Sequence, residues 1–223
     1  MLSFNLLNSV PKVARDIAAR RANKELNRAV ALKFGCEYFD GLREQGYGGY
    51  HYDGRWVPVA KKLIERYGLK AGDRVLDIGC AKGFLVQDLM AALPSLEVVG
   101  IDISQYALDN AVEDAAPHLM LGSCDSLPFE DASFDLALAI NTVHNLPPEA
   151  CEKAIAEMGR VSPNAGFIQV VAYRSLAERE IFEDWMLTAQ TYLRPEEWLE
   201  MFERVGYKND YYWTILLPDG EVF

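Results

Sequence analysis

The run from Arg74 to Phe84, RVLDIGCAKGF, constrains this chain more than any other stretch. Val75, Leu76 and Ile78 form a short apolar run broken only by Asp77. Gly79 and Gly83 then bound a turn before a helix-like segment from Phe84 to Leu93. A buried strand, a tight glycine-containing loop and a helix N-terminus together let main chain approach a ligand closely. A dinucleotide fold asks for Gly-x-Gly-x-x-Gly, the second glycine admitting the pyrophosphate and the third letting the helix pack on the strand. Here those positions are Gly79, Ala81 and Phe84. A phenyl ring at the packing position opposes a dinucleotide, and Asp77 puts negative charge where a diphosphate gains nothing from it. A cationic ligand does gain, through charge-assisted contacts.

S-adenosylmethionine (SAM), with an ammonium and a sulfonium, is such a ligand. Asp77-Ile78-Gly79-Cys80-Ala81-Lys82-Gly83 resembles motif I, D/E-x-G-x-G-x-G, of the class I SAM-dependent methyltransferases, with Ala81 replacing the middle glycine. Glu97 to Asp102 reads as a second buried strand ending in a carboxylate able to accept from both ribose hydroxyls, whether of SAM or of NAD. It resembles motif II of the same family, which implies Ile103 packed on the adenine. Ser104 reads as the cap of a helix running to Asp114. The run GSCDSLPFEDASFDLALAI is similar to the methyltransferase-11 group, which includes the ubiquinone and menaquinone methyltransferases. That resemblance puts the family's adenine-contacting position at Ser123 and the following small residue at Cys124, with Asp125 as the alternative acid. It places Asn141 against the methionine part of SAM. It implies Gly79, Ala81 and Gly83 as the cofactor loop, SAM as cofactor, S-adenosylhomocysteine as product and a small-molecule acceptor.

A fourth strand, Phe134 to Ile140, ends at Asn141-Thr142-Val143-His144-Asn145-Leu146. Strand carboxyl ends line the ligand crevice of an open α/β sheet, so these polar residues face the reaction zone. His144 is the candidate general base there, against the alternative of a packing histidine. A helix from Pro148 to Val161, a turn, and a strand from Phe167 to Ala172 follow. The connection from Tyr173 to Arg194, with Trp185 and Tyr192, is longer than usual and reads as a cap over the acceptor. A helix from Glu196 to Val205 and a closing strand pair ending at Leu216 complete the order. The fold expected is α/β: a Rossmann-like, seven-stranded, mostly parallel sheet with helices on both faces and an N-terminal helical and lid extension. The division expected is an N-terminal segment, residues 1–56, and a methyltransferase domain, residues 57–223, with the cap insertion at about 173–194.

The first thirty-odd residues carry Lys12, Arg15, Arg20, Arg21, Lys24, Arg28 and Lys33 and read as one amphipathic helix. Its expected start is at Ser9-Val10-Pro11, with Ser9 as cap and Pro11 in the first turn. Packing on the domain is its plainer role, and weak contact with a membrane surface or an anionic partner the alternative. Residues 34–56 are dense in glycine and aromatics. Tyr50, Tyr52 and Arg55 there are candidates for a lid whose side chains reach the acceptor or the SAM carboxylate, and Trp185 is a further acceptor-side candidate. A formal net charge of −11 opposes nucleic-acid binding over most of the surface. Four separated cysteines suggest neither a disulfide framework nor a metal site, and a reducing cytoplasm fits them. The oligomeric state is not legible. Two competing functions stand beside methyl transfer: a non-catalytic SAM-binding or interaction protein, and an NAD(P)-dependent oxidoreductase.

Overall fold

Arg74–Ile78 becomes β1 because four consecutive buried positions follow its first residue, as a strand covered on both faces requires. It pairs in parallel with β2 (Glu97–Asp102) on one side and β4 (Leu136–Ile140) on the other. β3 (Leu119–Leu121), β5 (Gly166–Val171) and β6 (Asp210–Thr214) extend this to a parallel sheet of order β3-β2-β1-β4-β5-β6. The computed structural model describes residues 1–11 and 16–217. Among them the sheet has six strands, where seven were expected. Residues 210–214 form one strand parallel to β5 instead of a closing pair. The free edge of β6 is taken by the N-terminus: Ser3 bridges Tyr211, and the Phe4 amide donates to the Tyr211 carbonyl at 2.9 Å.

Helices cover both faces. α4 (Val57–Tyr67) and α5 (Phe84–Ala92) bury Val59, Ala60, Leu63, Leu85, Val86 and Leu89 against one. α7 (Pro148–Val161) and α9 (Pro195–Arg204) bury Ile155, Met158, Trp198 and Phe202 against the other. Each fully buried large apolar side chain contributes about 1.5–3 kcal/mol. The helix expected from Ser104 to Asp114 is the shorter α6 (Gln105–Asp109), with the Ser104 hydroxyl accepting from the Ala107 amide.

The N-terminal segment differs from its expectation in form. It holds two helices, α1 (Ile17–Ala22) and α2 (Lys24–Ala31), broken at Asn23, and a one-turn α3 (Cys36–Phe39). Ser9 ends a 3-10 turn, Leu6–Ser9, and the expected first turn over Lys12, Val13 and Arg15 lies outside the described residues. Arg20, Lys24 and Arg28 of α1 and α2 turn inward, while Arg21 stays exposed. Lys24 and Arg28, four residues apart on α2, share a helix face, and Arg20 of α1 points to the same neighbour across the break at Asn23. They meet the carbonyls at the end of α8 (Leu176–Trp185) and just beyond it. Arg20 donates to Trp185 at 3.2 Å, Lys24 to Asp184 at 2.9 Å and also to Met186, and Arg28 to Leu187 and Ala189 at 3.1 and 3.0 Å. A helix C-terminus, with its unpaired carbonyls, attracts such cations.

Candidate functional site

Strand order reverses between β1 and β4, and the loop after β1 sits at that switch point. Gly79 adopts φ +80°, and a Cβ there would collide with the Thr142 side chain, so the loop packs on the end of β4 only because position 79 is glycine. Gly83 has φ +76°, and its Cβ would lie 2.7 Å from that of Ala115. Ala81, standing where the motif has its middle glycine, also holds a left-handed conformation at φ +50°. The Asp102 carboxylate accepts from the Ala81 amide at 2.8 Å and fixes that conformation.

Asp102 also accepts from the Ser104 amide at 2.8 Å on its other oxygen. With main-chain donors on both oxygens, the Ile103 amide among them, the carboxylate keeps capacity for a hydroxyl donor. Burial raises its pKa, against the pull of these main-chain donors. Asp77 is 5% exposed, and among the described residues no group donates a hydrogen bond to it. Burial, and secondarily the charge of Asp102, push its carboxyl up to about 7. A buried carboxylate without a partner is costly, and a cation beside it removes the cost. The cradle therefore fits SAM on this chain's own terms: a positive-φ glycine loop, two carboxylates, and an uncompensated negative site. Ile103 is 57% exposed beside Asp102. Cys124 is half-buried with its thiol pushed up to about 12, by burial first and then by Asp125 and Asp102. Ser123 donates its hydroxyl to Asp125, joining the two alternative adenine-side residues.

Part of residues 34–56 packs against this loop, with Phe39 and Tyr50 in one cluster with Ala81. Tyr50 stacks on Phe84, with centroids 4.7 Å apart, and meets Tyr47 at a tilt with centroids 4.4 Å apart. Its phenol is raised by burial and then by the charge of Asp77. Tyr47 is raised chiefly by its neighbour Tyr38 and by burial, so both phenols stay protonated and serve as donors, not bases. Asp40 ties the segment down. It accepts from Lys82 of the loop at 2.7 and 2.8 Å, from the Tyr106 hydroxyl at 2.7 Å and from the Tyr50 amide at 3.1 Å. Burial alone would raise its carboxyl, yet the Lys82 and Tyr106 hydrogen bonds hold it below its ordinary value. Sequence reasoning missed Asp40 and Lys82, because nothing local marks two opposite charges, one in a loop motif and one far upstream, as partners.

The other candidates are placed as follows. Tyr52 donates its hydroxyl to Asp88 of α5 at 2.6 Å. Arg55, half-buried, forms a bidentate pair with Asp53 at 2.6–2.9 Å, and among the described residues its side chain makes no hydrogen bond to the loop. Trp185 lies under the Arg20 guanidinium at 3.6 Å, in the α1–α8 interface. Arg20 also donates to Gly46 at 2.6 Å, so α1, the aromatic segment and the end of α8 are tied together through one side chain. Asn141, with φ +55°, accepts on its side chain from Thr214 at 3.2 Å.

His144 is 1% exposed, with Nδ1 buried and unpartnered. Burial pushes its pKa down to about 3. That weighs against the general-base reading, since an imidazole that resists a charge in so dry a place is a weak base. Its carbonyl accepts from Gln190 and Thr191 at 3.0 Å each, and the Thr191 hydroxyl donates to Leu146 at 2.7 Å, pinning residues 190–191 to the segment after β4.

Comparison with known proteins agrees with this geometry. Residues 75–166 match the methyltransferase domain family. The chain is 31% identical over 140 residues to the ubiquinone/menaquinone biosynthesis C-methyltransferase of Citrifermentans bemidjiense, covering 59% of this chain and 57% of that one. It is 28% identical over 147 residues to the tRNA (carboxymethyluridine(34)-5-O)-methyltransferase of Arabidopsis thaliana, covering 65% of this chain and 34% of that one. These matches span little more than half, or less, of the relatives' own lengths. The YcgJ protein of Bacillus subtilis shares the fold with a TM-score of 0.51 and 21% identity, over 66% of each chain. Residues 75–166, which carry the loop and both carboxylates, match this family, and the relatives support a class I SAM-dependent methyltransferase of the methyltransferase-11/25 type with SAM as cofactor.

Proposed function

We propose that this chain methylates a small-molecule acceptor, held between the β1 loop, the aromatic segment and residues 173–194. The observation that carries this reading is the buried, unpartnered Asp77 carboxylate beneath an aromatic cover. SAM, when bound, supplies a methyl group on a sulfonium, whose positive charge is lost in the transfer. The chain's own groups bind and orient. Asp77 holds a cationic group, Asp102 accepts from hydroxyls, and Ile103 with Ser123 and Cys124 lines the nucleoside side.

The segment from Tyr47 to Trp56 acts as a lid in this reading. With Tyr50 stacked on Phe84 it excludes water, and it must lift for ligand entry. Neither His144 nor the protonated tyrosines offers a strong base at neutral pH. The arrangement therefore favours an acceptor that needs none from the protein, such as a neutral amine or an already ionised oxygen or carbon. A polynucleotide acceptor, the substrate of the Arabidopsis relative, is opposed by the net charge of −11 and by the inward-turned Arg20, Lys24 and Arg28.

Incubation with methyl-labelled SAM plus either a metabolite extract or total tRNA tests the reading. Label is expected in the low-mass fraction. Label in tRNA alone refutes the acceptor class, and no transfer in either despite SAM binding favours a non-catalytic binder.

A further inference from the structure

The ends of β4, β5 and β6 are joined by a chain of side-chain hydrogen bonds. Gln169 of β5 donates through Nε2 to the Thr214 hydroxyl of β6 at 2.9 Å, and that hydroxyl lies 3.2 Å from Asn141 Oδ1, just past β4. A hydroxyl has one proton, so once Thr214 accepts from Gln169 its proton goes to Asn141, and the direction of the relay is set. Gln169 grips Asn141 a second time, since its carbonyl accepts from the Asn141 amide at 2.8 Å. This holds Asn141 at φ +55°, a conformation asparagine tolerates better than most residues.

Packing does not explain the glutamine. It is 5% exposed in a strand whose five other residues are glycine or apolar, and its Oε1 is buried with no partner. The relay's outcome is at Asn141. With Oδ1 occupied, its Nδ2 keeps two N–H donors, and among the described residues neither has a protein acceptor. The next residue, Thr142, packs on Gly79 of the cofactor loop. Two free donors on that side complement a carboxylate, as Asp77 complements an ammonium. An α-amino acid carries both.

We propose that Gln169 and Thr214 are positioning residues that fix the Asn141 carboxamide so that its N–H donors meet the carboxylate at the amino-acid end of the cofactor. The assignment rests on the SAM reading of the site. Calorimetry with two probes tests it: S-adenosylhomocysteine, and 5′-methylthioadenosine, which has the same nucleoside and no amino-acid end. Thr214→Val and Gln169→Met are expected to weaken S-adenosylhomocysteine about three- to tenfold, the loss of one oriented hydrogen bond, while methylthioadenosine affinity stays within about twofold. Thr214→Ser is expected to restore wild-type binding. In an Asn141→Ala background Thr214→Val should add nothing.

Three results overturn the proposal: unchanged S-adenosylhomocysteine affinity in Thr214→Val, equal weakening of both probes, or failure of serine to rescue. A wild-type protein that binds neither probe refutes the SAM reading itself, and the relay with it. Should Gln169→Met not fold, the Thr214 pair decides.

Discussion

Asp77 carries the most quantitative prediction. Its carboxyl is pushed up to about 7 by burial and by Asp102, against about 3.9 in an unfolded chain. Between those values the ligand-free fold holds a proton that the unfolded chain has lost. Stability therefore falls as pH rises from about 4 to about 7, by at most about 4 kcal/mol at 1.36 kcal/mol per unit. A cationic ligand placed against Asp77 stabilises the ionised form, so binding must release the proton. For a group of pKa about 7 the release is about 0.9 proton at pH 6, 0.5 at pH 7 and 0.1 at pH 8. Calorimetric titration of S-adenosylhomocysteine, in paired buffers of differing ionisation enthalpy at each pH, measures it directly. Asp77→Asn is expected to abolish most of the release, weaken binding at least tenfold through the lost charged contact, and stabilise the ligand-free protein at pH 7. A buffer-independent binding enthalpy at pH 6 and 7, or the same release in Asp77→Asn, refutes the reasoning.

Two further predictions concern the cover and His144. Amide exchange over residues 46–56 is expected to slow on addition of S-adenosylhomocysteine and to quicken in Asp40→Ala, which frees Lys82; equal exchange in all three samples discards the lid. His144→Gln is expected to cost less than tenfold in single-turnover rate. Because burial holds the native imidazole pKa at about 3, below its unfolded value, stability is lost as pH falls from about 6.5 towards 3. The glutamine variant should lose much of that acid sensitivity, and a rate loss beyond a hundredfold would restore His144 as a base.

What the sequence determined by itself was the part governed by short-range rules. The apolar run and carboxylate of β1, the glycines at 79 and 83, the acid ending β2, and the helices Val57–Tyr67 and Pro148–Val161 are local patterns of period and turn chemistry, and they stand in the structure where those patterns put them. Tertiary structure decided what depends on partners remote in the chain. The edge of β6 was taken by residues 2–4, which carry no strand signature and pair only because an open edge is there to be satisfied. The spacing of Arg20, Lys24 and Arg28 was readable, yet a basic helix face looks the same whether it meets water, a membrane or the bare carbonyls after α8. His144 illustrates the same limit in energetic terms. Its residue type suggested a proton acceptor, but the pKa of an imidazole is set by the water it keeps, and the packing of residues 190–191 over β4 leaves it almost none.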